Sequence, residues 1–316
     1  MKHLLTILPV MTMLCMMSGC TKQYTAIGID DAERMLKAGW TAYTRGNTGV
    51  AQKNFTDVIG GTASASAKEN DGRRSAVRAG AFYGLGITYN FGEKLDREKA
   101  RSYYEKAVRE GGTNEMAAWA SLSLARLFEV VPRGKKSDYA AARAAYQKIV
   151  DNYGGLVASE EAFFYLQATR IISYTVDDVR AAYSNVQNYI RVHPAMHDEY
   201  KEQLFALLSD ACINISRASS FKLPSAERVE LRNMAMVMYR ERLKLLSAQK
   251  VNPVANDIAY TLWNMGMVSL YDLGDLATAR ACFTQLVETS RFDIRVANAK
   301  RELEKIERIE RTRRVQ

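Results

Sequence analysis

One order of residues recurs three times in this chain, and a chain that repeats itself at such intervals folds by stacking like units. One copy runs Phe82-Tyr-Gly-Leu85-Gly86-Ile-Thr-Tyr89, then Gly92, then Ala100-Arg-Ser-Tyr-Tyr104-Glu-Lys-Ala107. A second runs Leu262-Trp-Asn-Met265-Gly266, then Tyr271, Gly274 and Asp275, then Ala279-Arg-Ala-Cys-Phe283-Thr-Gln-Leu286. The third has Met35, Ala38-Gly39, Tyr43, Gly46-Asn47, then Ala51, Phe55 and Val58. Each reads as a helix with a small residue at its midpoint, a glycine-bearing turn, and a second helix. In that second helix an aromatic follows Ala by four residues and an apolar residue comes three later. Gly39, Gly86 and Gly266 let the second helix approach closely. Ala51, Ala100 and Ala279 return into that gap, and Phe55, Tyr104 and Phe283 fill the space between units. Neither helix can bury its apolar stripe alone, so the units must stack.

This pattern resembles the tetratricopeptide repeat (TPR). The resemblance implies an all-α fold, a right-handed α-α superhelix (a TPR-like solenoid) of about six helical pairs with a C-terminal capping helix. The middle of the chain carries the pattern more weakly. Leu124-Ala125 and Phe128 head a helix that stops at Pro132, and Ala142, Tyr146 and Ile149 mark its partner. Ala162 to Ile172 pairs with Asp178 to Tyr189, and Glu199 to Ile215 pairs with Ala226 to Leu246. The midpoint small residues Gly39, Gly86, Ala125 and Ala168 lie 47, 39 and 43 residues apart. All three intervals exceed the usual TPR period of about 34 residues, so helices or loops are extended. Pro132, Pro194, Pro224 and Pro253 fall between expected helices, where a residue without an N–H does no harm. No segment alternates with period two for long enough to read as a strand. Gly60 to Ser75 is small and polar and reads as a flexible loop between the first two units. Residues 30–292 form the expected repeat array and residues 293–316 its cap. In that cap Asp293 precedes an apolar face of Val296, Ala299, Leu303 and Ile306, with Arg, Lys and Glu on its other sides. A solenoid needs such a helix to cover its last exposed stripe. The seven basic and four acidic residues from Lys300 to Gln316 read as its solvated face.

The N-terminus reads as an address. Lys2 supplies a positive start, Leu4 to Met17 an apolar stretch, and Ser18-Gly19 a small pair before Cys20. The stretch is too short for a membrane span and has the layout of a secretory signal. A cysteine directly after a small pair resembles the lipobox of bacterial lipoproteins, which implies a signal peptide of residues 1–19, acylation of the Cys20 thiol, and a lipidated linker over 20–29. Two or three acyl chains hold a protein stably on a bilayer where one holds it marginally. Thr21 rather than Asp follows the cysteine, and the same resemblance then implies export to the outer membrane, facing the periplasm. Of the other cysteines, Cys15 leaves with the signal, while Cys212 and Cys282 lie within helical patterns. They read as small buried hydrophobes rather than a bridge.

The chain has 316 residues, 47% apolar and 25% charged, with a net charge of +9, and this excludes disorder as a description of the whole. The charge contains no run of five like residues and reads as a solvated surface. An exported protein would meet envelope proteins, peptides and lipid rather than nucleic acid. Chemistry-bearing patterns are scarce. His193-Pro-Ala-Met-His197 has the spacing of a metal pair on a helix, but Pro194 disfavours helical geometry at His193, so the segment reads as a turn and a helix start. Glu160-Glu161 sits at a helix start, where carboxylates complement the dipole. No GxSxG, HExxH or phosphate loop is present. The expectation is a protein with no metal, no cofactor and no catalytic residue.

The TPR resemblance also implies a concave groove lined by the first helix of each unit, and it designates the facing positions. They are Trp40, Tyr43 and Thr44; Tyr83, Asn90 and Phe91; Trp119 and Arg126; and Tyr260, Trp263 and Tyr271. All three tryptophans of the chain fall among them. Tyr and Trp provide large contact area with a polar handle, so the groove reads as a site for an extended or helical peptide, with some rings in the core instead. The expected function is a non-catalytic, lipid-anchored scaffold that binds envelope proteins. The order of lipobox, short linker and TPR array is similar to the lipoprotein component of outer-membrane β-barrel assembly machinery, and a glycan-binding lipoprotein is a further alternative.

Overall fold

A computed structural model describes residues 24–63, 71–172, 175–249 and 255–315. The segment read as a signal and Cys20 lie outside the described residues. The chain is all-helical, with no strand among the described residues. Among the described residues thirteen α-helices follow one another: α1 Ile29–Thr44, α2 Thr48–Ala63, α3 Asp71–Phe91, α4 Arg97–Gly111, α5 Glu115–Glu129, α6 Tyr139–Asn152 and α7 Val157–Ile171. Then come α8 Val176–Val192, α9 Asp198–Arg217, α10 Ser225–Ala248, α11 Ala255–Met267, α12 Leu276–Thr289 and α13 Val296–Val315. They pack in adjacent pairs. By contact the chain divides into two compact units, residues 1–120 and 121–316, with the division inside α5.

Local chemistry starts and ends these helices. Asp96, Asp138 and Asp275 each accept a hydrogen bond from the N–H three residues on, at 3.0, 2.9 and 3.0 Å, and so cap α4, α6 and α12. Thr175 does the same for α8. The turn after the π-helical segment Val268–Leu273 uses Gly274 at φ 69°, a conformation that favours glycine.

In the first unit the core is Ala32, Ala51, Phe55, Val58, Val77, Ala81 and Leu85. Phe55 is fully buried and lies between two glycines. A Cβ on Gly39 would sit 2.6 Å from its ring, and one on Gly84 would sit 2.5 Å away. The aromatic therefore touches both its own pair and the next. The Tyr104 ring occupies the same place against Gly86, and Phe283 lies where a Gly266 Cβ would come within 2.5 Å. Ala51, Ala100 and Ala279 are all fully buried beside them. Arg78 adds a polar joint: its guanidinium makes two 3.0 Å bonds to the Glu110 carboxylate and donates at 3.1 Å to the Ile59 carbonyl.

The reading of Gly60 to Ser75 as loop is corrected at both ends. α2 runs on to Ala63, and α3 begins at Asp71. Gly60 and Gly61 are helical because the incoming segment needs them bare. The Tyr24 ring covers Gly60, the Ile27 side chain covers Gly61, and the Ile27 N–H donates to the Gly61 carbonyl at 3.2 Å. Any Cβ at either position would collide with those side chains.

The second unit has two apolar clusters. The larger gathers α7 to α10, with Phe163, Val186, Leu204, Leu208, Leu231 and Met238 among its buried members. The smaller joins α11, α12 and α13 through Leu262, Phe283, Leu286, Ala299 and Ile306. Ala299 and Ile306 belong to the stripe read from the sequence as the face of the capping helix. Asp293 lies just ahead of α13 and accepts from the Arg295 N–H at 2.8 Å.

Candidate functional site

The positions designated as groove residues fall into two kinds. In the first unit, Trp40 and Tyr43 on α1 and Tyr83 on α3 form a connected aromatic row. The Trp40 ring centroid lies 6.1 Å from Tyr43 and 5.7 Å from Tyr83, and Tyr83 continues to Tyr104 at 5.9 Å. Beneath the row Trp40 meets the buried Phe55 ring edge-on at 5.2 Å. All three side chains are half-buried, and Trp40 and Tyr43 pack against the first-unit core. Burial pushes the Tyr43 hydroxyl above its ordinary pKa, so it stays a neutral donor. Thr44 is exposed and its hydroxyl donates to the Thr41 carbonyl at 3.0 Å. Asn90 and Phe91 close α3; Phe91 is 66% exposed. Trp119 is half-buried on α5, with its indole N–H 3.4 Å from the Glu115 carboxylate.

In the second unit each designated residue is engaged within the fold. The Arg126 guanidinium lies 4.1 Å over the Tyr165 ring, which stacks on Tyr146 at 5.7 Å. The Tyr146 hydroxyl donates to Glu129 at 2.6 Å, and burial and that carboxylate hold it protonated. The guanidiniums of Arg242 and Arg295 lie 5.8 and 5.5 Å from the Tyr260 ring, and its hydroxyl donates to Asp210 at 3.2 Å. Trp263 rests half-buried on Phe283 at 5.5 Å. Tyr271 is 49% exposed but reaches α13: its hydroxyl donates to Glu302 at 2.7 Å and accepts from Lys305 at 2.9 Å.

Sequence reasoning missed the polar network behind Tyr260. Arg242 is only 6% exposed and bonds Glu202 at 2.5 Å and the Thr261 hydroxyl at 3.1 Å. Beside it the buried Tyr239 hydroxyl donates to Asp210 at 3.0 Å, and burial raises its pKa, with Asp210 adding to the effect. A charged residue at an otherwise apolar helix position was the one available signal. Glu160 was also more than a dipole partner for its own helix. Its carboxylate accepts from the backbone N–H of His197 at 2.9 Å and meets that residue's Nδ1 at 2.8 Å, fastening the start of α9. His193 packs on Tyr189 at 4.3 Å, closing α8. Cys212 and Cys282 are free and buried. Burial raises their thiols to about 12 and about 11, which leaves little thiolate at neutral pH.

No protein-family model matches this chain, and no curated protein matches it in sequence. What the first unit offers is half-buried aromatic area along Trp40, Tyr43 and Tyr83.

Proposed function

We propose that this protein is a non-catalytic interaction scaffold of the bacterial cell envelope, held by acyl chains at Cys20, in which the helical pairs continue as a TPR-like right-handed superhelix. The observation that carries the reading is the half-buried row of Trp40, Tyr43 and Tyr83 on the first helices of consecutive pairs. Rigid rings backed by a packed core give large contact area at little entropic cost, which is why such rings dominate protein interfaces. The recurring glycine–aromatic joints support the repeat reading, and Phe55 lies against glycines of two successive pairs. The cysteine after Ser18-Gly19 supports the anchor.

Capture from detergent-solubilised envelope tests the reading. The wild-type chain should retain a defined protein that the Trp40→Ala, Tyr83→Ala double variant releases, with helicity unchanged by circular dichroism. Retention of polysaccharide instead would move the assignment to glycan binding. Intact-mass measurement of the mature chain should show diacylglycerol on Cys20, and an unmodified thiol there would remove the anchor.

A further inference from the structure

The first helical pair carries a cationic cleft along α1 and α2. It has a volume of about 690 Å3, within the range of ligand sites, and its lining includes Arg34, Lys37, Thr41, Arg45, Asn47 and Asn54 but no carboxylate. Arg34, Lys37, Thr41 and Arg45 follow one another at steps of 3, 4 and 4, the spacing of a single helix face. Arg34 is also paired with Asp31. Lys37 and Arg45 are exposed and form no ion pair among the described residues. Asn47 spends its Oδ1 on the Val50 N–H at 3.3 Å, which leaves its NH2 as a further donor. Any polar face would keep the outer side of this pair wet, and Thr41 and Asn54 serve that end. Cations in a lining without acids add a sign, and the sign asks for an anion.

The incoming chain places that anion. Tyr24 and Ile27 are seated on bare helix: a Cβ on Gly60 would collide with the Tyr24 ring, and one on Gly61 would come within 2.7 Å of the Ile27 side chain. The Ile27 N–H holds the seat at 3.2 Å from the Gly61 carbonyl. Gly61 follows Asn54 by 7 residues and Val50 by 11, on the same stripe of α2, so the seated segment lies on the side of the pair that holds the cleft. Cys20 precedes Tyr24 by four residues, and four residues reach about 14 Å at full extension. Acyl chains at Cys20 would hold this side of the pair close to the headgroups. We propose that the cleft docks the first pair on a bilayer that carries anionic phospholipid, with Lys37, Arg45 and Arg34 at the lipid phosphates. The short leash rests on the acylation proposed above; the cationic lining does not. Ammonium and guanidinium groups meet phosphate oxygens through charge-assisted N–H bonds, and each cation near an anionic surface adds to the attraction. At about 100° per residue, Trp40 and Tyr43 lie about 120° and 180° around α1 from Arg34, so a docked cleft leaves the aromatic row open.

The mature chain as cells produce it, reconstituted in vesicles, tests the assignment. A fluorescent label on Ala38→Cys, in the cleft lining, reads contact with the surface, because Cys212 and Cys282 are buried and stay unlabelled. In an equal mixture of phosphatidylglycerol and phosphatidylcholine, a nitroxide on the lipid headgroup should quench the label. The quenching should be lost in phosphatidylcholine alone and in high salt, which screens the charges. The Lys37→Gln, Arg45→Gln double variant should lose it too, with helicity and melting temperature unchanged because both side chains are exposed. Equal quenching in the two compositions, or unchanged quenching in the double variant, would overturn the proposal. Intact mass reports on the anchor separately. A chain without acyl mass should still float with the mixed vesicles and not with phosphatidylcholine, about fivefold more weakly for each cation removed, which supports the cleft while removing the leash. Such a chain that floats with neither, or with both alike, would overturn the cleft as well.

Discussion

Replacing Gly39 by Ala tests the glycine–aromatic joint directly. In an open helix this change stabilises by about 1 kcal/mol, because alanine loses less chain entropy on folding. At Gly39 the added methyl meets the Phe55 ring at 2.6, 2.8 and 3.2 Å, closer than nonbonded carbons approach. The ring has no free direction to retreat, since Gly84 holds its other side with only 2.5 Å to spare for a Cβ of its own. Overpacking a closed site costs about 1–3 kcal/mol, and a ring held from two sides belongs in the upper half of that range. The net expectation is a destabilisation of about 1–2 kcal/mol, after the gain from alanine is subtracted. In urea, at a slope of about 2 kcal/mol per molar, this lowers the midpoint by about 0.5–1 M. Gly49→Ala is the control: it lies in α2 with nothing within 4 Å, so the same change there should raise stability by up to about 1 kcal/mol. Phe55→Leu shortens the obstructing side chain, so the double variant with Gly39→Ala should recover about 1 kcal/mol relative to additivity. A Gly39→Ala variant more stable than wild type, or a cycle with no coupling, would refute the steric joint.

Three further outcomes follow from specific contacts. Arg78 holds the Glu110 carboxyl below its ordinary value of 4.5, so the pair contributes stability that is present above pH 4.5 and lost as pH falls through the depressed folded value; in urea titrations between pH 7 and pH 3, Arg78→Met should show a shallower acid loss than wild type, and parallel curves would exclude the pair as its cause. Asp210→Ala strands the Tyr239 hydroxyl in a site 1% exposed and should cost about 1–3 kcal/mol, while adding Tyr239→Phe should recover most of it; no recovery would mean the carboxylate acts elsewhere. In a chain that starts at residue 21, Cys212 and Cys282 should react with iodoacetamide at pH 8 only as fast as the protein unfolds, because burial holds the thiols at about 12 and about 11; labelling of the native state at the denatured rate would contradict their burial.

The elements that could be read in advance share a cause. Gly39 with Phe55, Gly86 with Tyr104 and Gly266 with Phe283 are contacts in which sequence spacing and spatial contact coincide, so repetition exposed them. The same holds for the apolar stripe of α13, where period alone predicted burial of Ala299 and Ile306. The features that escaped have partners far along the chain. Glu160 fastens His197 across 37 residues, and Arg242 reaches Glu202 across 40, with no local pattern to announce either. The helical state of Gly60 and Gly61 escaped for a related reason. Composition assigns small polar residues to loops, but Tyr24 and Ile27 require bare helix beneath them. The π-helical segment at Val268–Leu273 also has no signature, and it moves Tyr271 out of the register that the helical pattern assigned to it.

That last displacement bears on which part of the chain meets a partner. Tyr271 and Tyr260 were designated by the same offset rule as Trp40 and Tyr83, yet their polar edges are spent inside the fold, on Glu302 and Lys305 in one case and on Asp210 in the other. A ring held in this way must break charge-assisted bonds before it can contact anything new, and those bonds are among the stronger ones a protein makes. Trp40 makes its contacts with rings, which continue to support it when a ligand covers the solvent-facing side. Covering the Trp40 ring therefore leaves its ring contacts in place, while binding at Tyr260 or Tyr271 breaks charge-assisted bonds. Substitutions at Trp40 and Tyr83 should weaken capture of a partner with little change in melting temperature, whereas Tyr260→Ala should lower the melting temperature first. The reverse ordering, with capture lost at Tyr260 in a fully stable protein, would place the contact surface in the second unit.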